Sequence, residues 1–226
     1  MSVSQKCRLY AITPPQFELS EFILQVEEAL AAGDIACLQL RLKEASDEEI
    51  REAAKALIPI CHSHGTAFMV NDSVEIALEV GADGVHLGQE DLEGTSVKAI
   101  ADKLPEGVIL GVTCHASNHL AMEAGEQGAA YVAFGAFYET TSKPKEKLEK
   151  WGTPTTELLE GWTQFTTIPS VAIGGITPDN CKPLVQAGAD FIAVITGIWD
   201  HAQGAGAGVR AYNAAIQEAL AAAAVA

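Results

Sequence analysis

Short apolar runs alternate with amphipathic stretches along the whole chain. The stretches "SEFILQVEEALAAG" and "DEEIREAAKALIPICHSHG" repeat apolar residues with the period of a helix packed on one face. Ser20 and Asp47 are predicted to cap the N-termini of these helices, and Gly33 and Gly65 to end them. The apolar runs predict the strands Leu9–Thr13, Cys37–Arg41, Ala67–Val70, Gly84–Leu87, Val108–Thr113, Tyr131–Phe134, Val171–Ile173 and Phe191–Ile195.

These strand–helix units follow one another with no linker between them. Strict alternation of strands and helices is typical of a parallel sheet. Eight such units predict a (β/α)8 TIM barrel, an α/β fold formed by a single domain over residues 1–226. A doubly wound open sheet is the alternative. In a barrel, the loops that follow the C-terminal ends of the strands build the active site, so functional residues are expected there.

Composition and charge narrow the function classes. The chain has 226 residues, is 48% hydrophobic and carries a formal net charge of -16. This acidity argues against a nucleic-acid or anionic-membrane partner, because both need a basic face. No apolar run approaches the roughly 20 residues of a membrane span, and "MSVSQKCRLY" lacks the apolar segment of a signal peptide. We expect a cytoplasmic protein with small-molecule substrates, and a homo-oligomer remains open.

The cysteines give no sign of a disulfide framework or a structural zinc site. Their number is odd and no CxxC pair occurs, which fits a reducing cytoplasm. Cys114 lies beside His115, but adjacent residues on a strand point to opposite faces. We therefore interpret Cys114 as a structural residue at a strand end and not as a nucleophile.

Polar side chains follow two neighbouring strands. Asn71 and Asp72 come directly after the third predicted strand, and Gln89 and Asp91 follow the fourth. Because adjacent parallel strands bring their ends together, the two carboxylates are expected to converge on one Mg²⁺ ion, a hard cation that takes one or two carboxylates and phosphate oxygens. The alternative is structural: Asp72 would cap the following helix, and Asp91 would cap a turn.

The second strand ends in "LQLRLK", in which Gln39, Arg41 and Lys43 alternate. We expect one face of this strand to carry an amide and two cations. A barrel interior does not bury three such groups without a use for them. Cations gathered on one rim of an acidic protein indicate an anion site.

Three further loops add anion-binding groups to the same rim. The loop after the sixth strand, "GAFYETTSKPK", offers Thr140, Thr141, Ser142 and Lys143. "IGGIT" follows the seventh strand and "ITGI" the eighth. Glycine-bearing loops at these two places form the usual phosphate site of the fold, because bare backbone N–H groups can approach the oxygens. A diphosphate with magnesium and a second phosphate would match the whole set.

These residues resemble the thiamine phosphate synthase family over nearly the whole chain. The resemblance rests on "QLRLK", "VNDSVEIALEVGADGVHLGQED", "GVTCH", "FGAFYETTSKPK", "IGGI" and "GADFIAVITGI". It implies a transferase that joins 4-amino-5-hydroxymethyl-2-methylpyrimidine diphosphate to a thiazole phosphate, with magnesium required. The products would be thiamine monophosphate and pyrophosphate, formed by dissociative departure of pyrophosphate from the pyrimidine methylene.

The resemblance also implies roles for individual residues. Gln39 would contact the pyrimidine, and magnesium would be held by Asp72 and Asp91. The diphosphate would be held by Arg41, Lys43, Asn71 and Lys143. The thiazole phosphate and the bond-forming centre would be contacted by Thr140, Ser142, Gly175, Ile195 and Thr196. Direct roles in catalysis fall to Lys143, Arg41, Thr113 and Ser142, and supporting roles to His86 and Gln89.

The sequence departs from the family pattern at several of these positions. One hydroxyl residue replaces another at Thr113, Ser142 and Thr196. We expect these changes to affect the reaction rate more than the function itself. Ala136 and Glu139 replace prolines, which could loosen the loop after the sixth strand.

Three other functions remain open. They are a thiazole tautomerase, a non-catalytic binder of thiazole or thiamine phosphates, and an unrelated phosphate-binding barrel enzyme. Tautomerases that resemble this chain carry a histidine at the position of Ala136 and so have a group that can move a proton. Glu139 lies three residues further on and is expected to point to solvent.

Overall fold

Eight parallel strands close into a barrel in which every strand pairs with its neighbours in chain order. The computed structural model describes residues 7–140 and 150–223. The strands are β1 Arg8–Ile12, β2 Ile35–Leu40, β3 Ala67–Asn71, β4 Gly84–Leu87, β5 Ile109–His115, β6 Tyr131–Gly135, β7 Ser170–Ile173 and β8 Phe191–Val194. The predicted (β/α)8 barrel is therefore confirmed and the doubly wound open sheet is wrong. The extent of a single domain over residues 1–226 stays a prediction.

Helices surround the barrel. Those within the described ranges are α1 Leu19–Ala32, α2 Asp47–Ser63, α3 Val74–Val80, α4 Val97–Ala101, α5 Asn118–Glu126, α6 Thr156–Phe165, α7 Lys182–Gln186, α8 Thr196–Trp199 and α9 Ala205–Ala223. Gly33 ends α1 as predicted, and Gly65 follows the end of α2 with a φ of 69°. This left-handed conformation suits a residue without Cβ.

The two predicted N-caps are wrong by one or two residues. Glu18 precedes α1 and makes no side-chain cap, so Ser20 lies inside the first turn. Ser46, and not Asp47, caps α2: its hydroxyl accepts from Glu49 N at 3.3 Å, and the Glu49 carboxylate accepts from Ser46 N at 2.7 Å. This reciprocal pair satisfies two helix-end donors at once, whereas Asp47 alone would satisfy one.

Alternate residues of the strands divide the core into two layers. Residues such as Leu9, Leu38 and Val70 point outward and pack with the helices in one large cluster. Residues such as Tyr10 and Tyr131 point inward and form a second, smaller cluster inside the barrel. This inner layer is the floor on which the site at the C-terminal ends of the strands is built.

Strand β2 ends earlier than its alternating sequence predicts. Thr13 N donates to Gln39 O at 2.9 Å, and the buried Thr13 hydroxyl then accepts from Arg41 N at 2.9 Å. Lys43 N donates to Pro15 O at 2.9 Å. The expectation that Gln39, Arg41 and Lys43 share one strand face is therefore wrong, because Arg41 and Lys43 lie in the β2–α2 loop.

Candidate active site

A cavity of about 1250 Å³ opens at the C-terminal ends of the strands. Every predicted site residue that the structure describes lines it. These residues are Gln39, Arg41, Lys43, Asn71, Asp72, Asp91, Thr113, Thr140, Gly175, Ile195 and Thr196, together with the supporting residues His86 and Gln89. The predictions for Ser142 and Lys143 lie outside the described residues.

The two predicted metal ligands lie within hydrogen-bonding reach of each other. Asp72 N donates to His86 O at 2.8 Å, which holds the end of β3 beside β4. Asp72 adopts a φ of 66°, a left-handed conformation that non-glycine residues rarely take. Such a conformation persists only where the surrounding structure imposes it, and it is common at functional sites.

The structural alternative for these two acids is half right. Ser73 caps α3, since its hydroxyl accepts from Ile76 N at 3.2 Å. Asp72 is therefore not the helix cap, and its carboxylate faces the cavity. Asp91 does cap a turn, because its Oδ2 accepts from Gly88 N at 2.7 Å.

Electrostatics separate the acid pair from ordinary surface carboxylates. The pKa of Asp72 is raised from 3.8 to about 6, chiefly because the cavity walls remove part of its hydration. The negative charges of Asp91 and Glu90 add to this rise, and Arg41 opposes it. Burial lowers the pKa of Arg41, with Asp72 opposing that shift. A cation placed between the two acids would relieve their repulsion.

The loops after β7 and β8 form the opposite wall of the cavity. Gly174 and Gly175 have φ values of 105° and 63°, and a Cβ at Gly175 would collide with the backbone of Glu139. Asn180 braces this turn: its Nδ2 donates to Gly175 O at 3.0 Å, and its Oδ1 accepts from Thr177 N at 2.7 Å. The glycines thus give a tight turn whose backbone can approach a phosphate.

Two tyrosines below the rim escaped the analysis of the sequence. Tyr10 and Tyr131 face the cavity from β1 and β6, and their hydroxyls are 2.9 Å apart. Gln39 Nε2 lies 3.3 Å from the Tyr10 hydroxyl, and His86 Nδ1 lies 2.8 Å from that of Tyr131. Inward alternation along the strands was the signal that could have found them, because Tyr10 shares the inward face of β1 with Ile12.

The comparisons with known proteins agree on one family. The family model described as thiamine monophosphate synthase matches residues 9–198. A thiamine-phosphate synthase from Rhodospirillum centenum is 48% identical over 92% of this chain and 96% of its own length. One from Erythrobacter litoralis is 50% identical over 85% of this chain and 88% of its own length. The chain belongs to the thiamine monophosphate synthase family.

A solved structure supports the same assignment. Thiamine phosphate pyrophosphorylase from Pyrococcus furiosus superposes with a TM-score of 0.79 at 30% identity, covering 96% of this chain and 98% of that one. The resemblance to the thiamine phosphate synthase family is therefore confirmed. Among the residues that the structure describes, no helix is long and apolar enough to cross a membrane.

Two residues of the loop after β6, Ala136 and Glu139, depart from the pattern expected from the resemblance. Ala136 is 3% exposed and packs against Gly174, so a methyl group that cannot titrate occupies the position at which the resemblance implies a histidine in tautomerases. Glu139 is exposed, as expected, and it also borders the cavity. Its carbonyl lies against Gly175, and this contact turns the β6 loop over the β7 loop.

Cys114 does not contribute a nucleophile. Its side chain is fully buried, and burial raises the pKa of its thiol to about 12. A thiol held protonated in an apolar setting is inert. The interpretation of Cys114 as structural fits this environment.

Proposed function

We propose that the protein is a thiamine-phosphate synthase. It condenses 4-amino-5-hydroxymethyl-2-methylpyrimidine diphosphate with thiazole phosphate and releases thiamine monophosphate and pyrophosphate. One observation carries the proposal: an acid pair, two cations and a glycine turn line one cavity in a chain whose relatives are named for this reaction. We keep a cytoplasmic location as a prediction.

The diphosphate would bind on the β2 and β3 side of the cavity. Arg41 and Lys43 supply positive charge from the β2–α2 loop, and Asn71 supplies an amide from the end of β3. Arg41 is suited to grip phosphate oxygens because its guanidinium presents several donors in a fixed plane. Lys143 is assigned to the same group on the sequence alone.

Asp72 and Asp91 are suited to hold magnesium. Magnesium usually takes one or two carboxylates and completes its shell with water and phosphate oxygens. Among the described residues, no group of three or more His, Cys, Asp and Glu side chains is placed to hold a metal ion by itself, so water and phosphate oxygens would complete the shell. When bound, magnesium offsets the negative charge that develops on the departing pyrophosphate.

The thiazole phosphate would bind on the opposite wall. Gly175 would approach it through the backbone of the β7 loop, and Ile195 and Thr196 through the backbone and hydroxyl of the β8 loop. Thr140 lies on the adjoining β6 loop, next to the segment that carries Ser142. This placement would set the thiazole nitrogen facing the pyrimidine methylene, with both substrates held at attack distance.

The reaction needs little acid–base chemistry from the protein. An electron-rich aminopyrimidine can support positive charge on its methylene as pyrophosphate leaves, and the thiazole nitrogen already carries the lone pair that forms the new bond. Arg41 and Lys143 would stabilise the charge that moves onto the leaving group. Thr113 would contact the pyrimidine side of the reacting centre, with its hydroxyl held 2.8 Å from His86 Nε2.

The test is direct turnover. Purified protein, both substrates and magnesium are mixed, and thiamine monophosphate and pyrophosphate are measured in equal amounts. We expect both products, and we expect their loss when magnesium is chelated. Arg41→Ala should raise the KM for the pyrimidine diphosphate, whereas Arg51→Ala, which removes an exposed Arg–Glu pair between α2 and α3, should not. No product with fresh substrates and magnesium would refute the proposal.

A further inference from the structure

A line of hydrogen-bonded polar side chains crosses the interior of the barrel at the floor of the cavity. Gln39 Nε2 lies 3.3 Å from the Tyr10 hydroxyl, which lies 2.9 Å from that of Tyr131. The Tyr131 hydroxyl lies 2.8 Å from His86 Nδ1, and His86 Nε2 lies 2.8 Å from Thr113 Oγ1. All five members line the cavity, and Gln39 and Thr113 are the two ends of the line.

The packing around this line fixes its members. Tyr10, Gln39 and Tyr131 are between 3% and 7% exposed. The Tyr131 ring occupies the space that a side chain at Gly111 would fill. The His86 ring stacks on Tyr131 with centroids 5.6 Å apart. Because these neighbours hold the heavy atoms in place, the main thing that can still change along the line is the direction of each hydrogen bond.

Proton counting links the two ends. A tyrosine hydroxyl has one hydrogen, and a neutral imidazole donates from one nitrogen and accepts at the other. If Gln39 donates to Tyr10, then Tyr10 donates to Tyr131, and Tyr131 donates to His86 Nδ1. His86 must then donate from Nε2 to Thr113, which keeps its own hydrogen for a ligand. Reversing any one of these bonds reverses all of them.

The two settings present opposite chemistry to the cavity. With Gln39 nitrogen facing Tyr10, as the geometry has it, the Gln39 carbonyl is left to accept from a ligand and Thr113 is left to donate. In the reversed setting, the Gln39 amide would donate to the ligand and Thr113 would accept. A 4-aminopyrimidine offers a donor amine beside acceptor ring nitrogens, so it matches the first setting. Its 4-oxo analogue offers an acceptor oxygen beside a donor N–H.

We propose that Tyr10, Tyr131 and His86 are positioning residues that set the orientation of the Gln39 amide and so select an aminopyrimidine over an oxopyrimidine. The inference rests on the proposed function for the identity of the substrate. It adds three residues that act through Gln39 and Thr113, and it couples the two ends of the pyrimidine site through one line of hydrogen bonds.

Cys37 is the other group that the Tyr10 hydroxyl can reach. Burial raises the pKa of the Cys37 thiol well above its usual range, so the sulfur stays protonated. A thiol sulfur is a weak acceptor, and the oxygen of Tyr131 is the stronger partner for the Tyr10 hydrogen. The line from Gln39 to His86 therefore keeps its direction in the presence of Cys37.

The experiment breaks the line at its centre. Tyr131→Phe removes one hydroxyl, so the Tyr10 hydrogen becomes able to point at Gln39 and the amide can turn over. Binding of the 4-amino and 4-oxo forms of 5-hydroxymethyl-2-methylpyrimidine monophosphate is measured by calorimetry with magnesium, and again by competitive inhibition. Wild-type protein should bind the amino form about 10- to 100-fold more tightly than the oxo form, because the oxo form would leave one buried polar contact unmatched. In Tyr131→Phe, the ratio of the two affinities should fall about tenfold.

Two further variants make the result decisive. Tyr10→Phe removes the partner of Gln39 directly and should lower the preference to the same extent. Tyr212→Phe is the matched control: its hydroxyl is also buried and donates to Ile176 O at 2.8 Å, outside the line. The control should keep the wild-type preference. Melting temperatures establish that each variant is folded.

The outcomes separate this inference from the proposed function. Wild-type preference retained in both Tyr131→Phe and Tyr10→Phe would overturn the inference while leaving the synthase activity intact. Loss of preference in Tyr212→Phe to the same extent would also overturn it, since the effect would then be general loosening. Wild-type protein that binds neither pyrimidine would overturn both the inference and the proposed function.

Discussion

Asp72→Asn should stabilise the protein in the absence of metal while removing its activity. The substitution keeps the shape of the side chain and removes a charge that the fold tolerates poorly. Asp72 lies within hydrogen-bonding reach of Asp91, and its pKa is raised from 3.8 to about 6. Above about pH 6 the folded protein therefore carries an ionised carboxylate at a cost, and asparagine removes that cost.

The size of the effect follows from the shift. A rise of roughly 2 pKa units corresponds to about 3 kcal/mol between the two protonation states. Solvent reaches Asp72 through the cavity and screens the charge, so we halve this figure to about 1.5 kcal/mol. For a chain of this length, 1 kcal/mol moves the melting temperature by about 2–4 °C. Asp72→Asn should melt about 3–6 °C higher than wild type at pH 7.5 with a chelator present.

The sign of the pH dependence identifies the cause. A carboxyl with a raised folded-state pKa contributes its stability below the unfolded pKa and loses it as the pH rises through about 6. The advantage of asparagine is therefore full above about pH 6 and fades towards pH 3.8. Differential scanning calorimetry at intervals between pH 4.5 and pH 8 measures it. Most of the gain in stability should be lost at pH 4.5. Before the correction for screening, the difference in the free energy of unfolding between pH 4.5 and pH 8 is roughly 2 kcal/mol.

A competing cause gives a different profile. Asp72 has a φ of 66°, and asparagine tolerates the left-handed region well. Relief of backbone strain would raise the melting temperature equally at every pH. A gain that does not change with pH, or a loss of stability at pH 7.5, would therefore refute the electrostatic reasoning.

A surface control and a ligand complete the design. Asp102→Asn removes an exposed carboxylate that pairs with Lys98, and it should change stability by less than about 0.5 kcal/mol. Magnesium with inorganic pyrophosphate should raise the melting temperature of wild type, because it binds only the folded state. Asp72→Asn should lose most of that rise and most of its turnover.

Other consequences of the site can be checked separately. Lys143→Ala should lower kcat in rapid-quench turnover, because the contact proposed for Lys143 from the sequence would strengthen as charge moves onto pyrophosphate; a raised KM with unchanged kcat would contradict this. Tyr212→Phe should raise the KM for thiazole phosphate about threefold to tenfold in steady-state assays and leave that for the pyrimidine unchanged, since Tyr212 supports both the Ile176 carbonyl and Gly197. Thiazole phosphate tautomer supplied alone should not isomerise by NMR, because Ala136 cannot move a proton. Conversion as fast as thiamine phosphate formation would reverse that assignment.

The barrel and its rim could be predicted from sequence because both depend on local order. Alternating apolar runs and helical periods give the strands, and the polar residues that follow each strand must lie at its C-terminal end. Asn71, Asp72, Gln89 and Asp91 were found in this way, and all line the cavity. Arg41 also lines the cavity, but it does so from a loop and not from the strand face that was predicted, because the buried Thr13 hydroxyl takes its N–H and the strand ends before it.

The polar line inside the barrel could not be predicted, because it depends on contacts between distant segments. Tyr10 and Tyr131 are 121 positions apart and meet only when the barrel closes. Each looks like an ordinary core aromatic in its own strand. The prediction of the α2 cap was wrong for a more local reason. Ser46 and Asp47 are both good N-cap residues, and the reciprocal contact with Glu49 decides in favour of Ser46.

Position relative to a strand explains why some aspartates support the fold and others face the cavity. Asp34, Asp83 and Asp190 each come just before a strand. Asp83 Oδ2 accepts from Phe68 N at 2.6 Å, Asp190 Oδ2 accepts from Ser170 N at 2.8 Å, and Asp34 pairs with Arg8.

Asp72 and Asp91 come after their strands, at the other end of the barrel, and their carboxylates repel each other. The recurring "GAD" before a strand, in "VGADGV" and "AGADFI", is thus a structural motif that ties neighbouring strands at the N-terminal end. These aspartate contacts stabilise the fold at the N-terminal end of the barrel. The C-terminal rim can therefore hold charges that a substrate and its metal would neutralise.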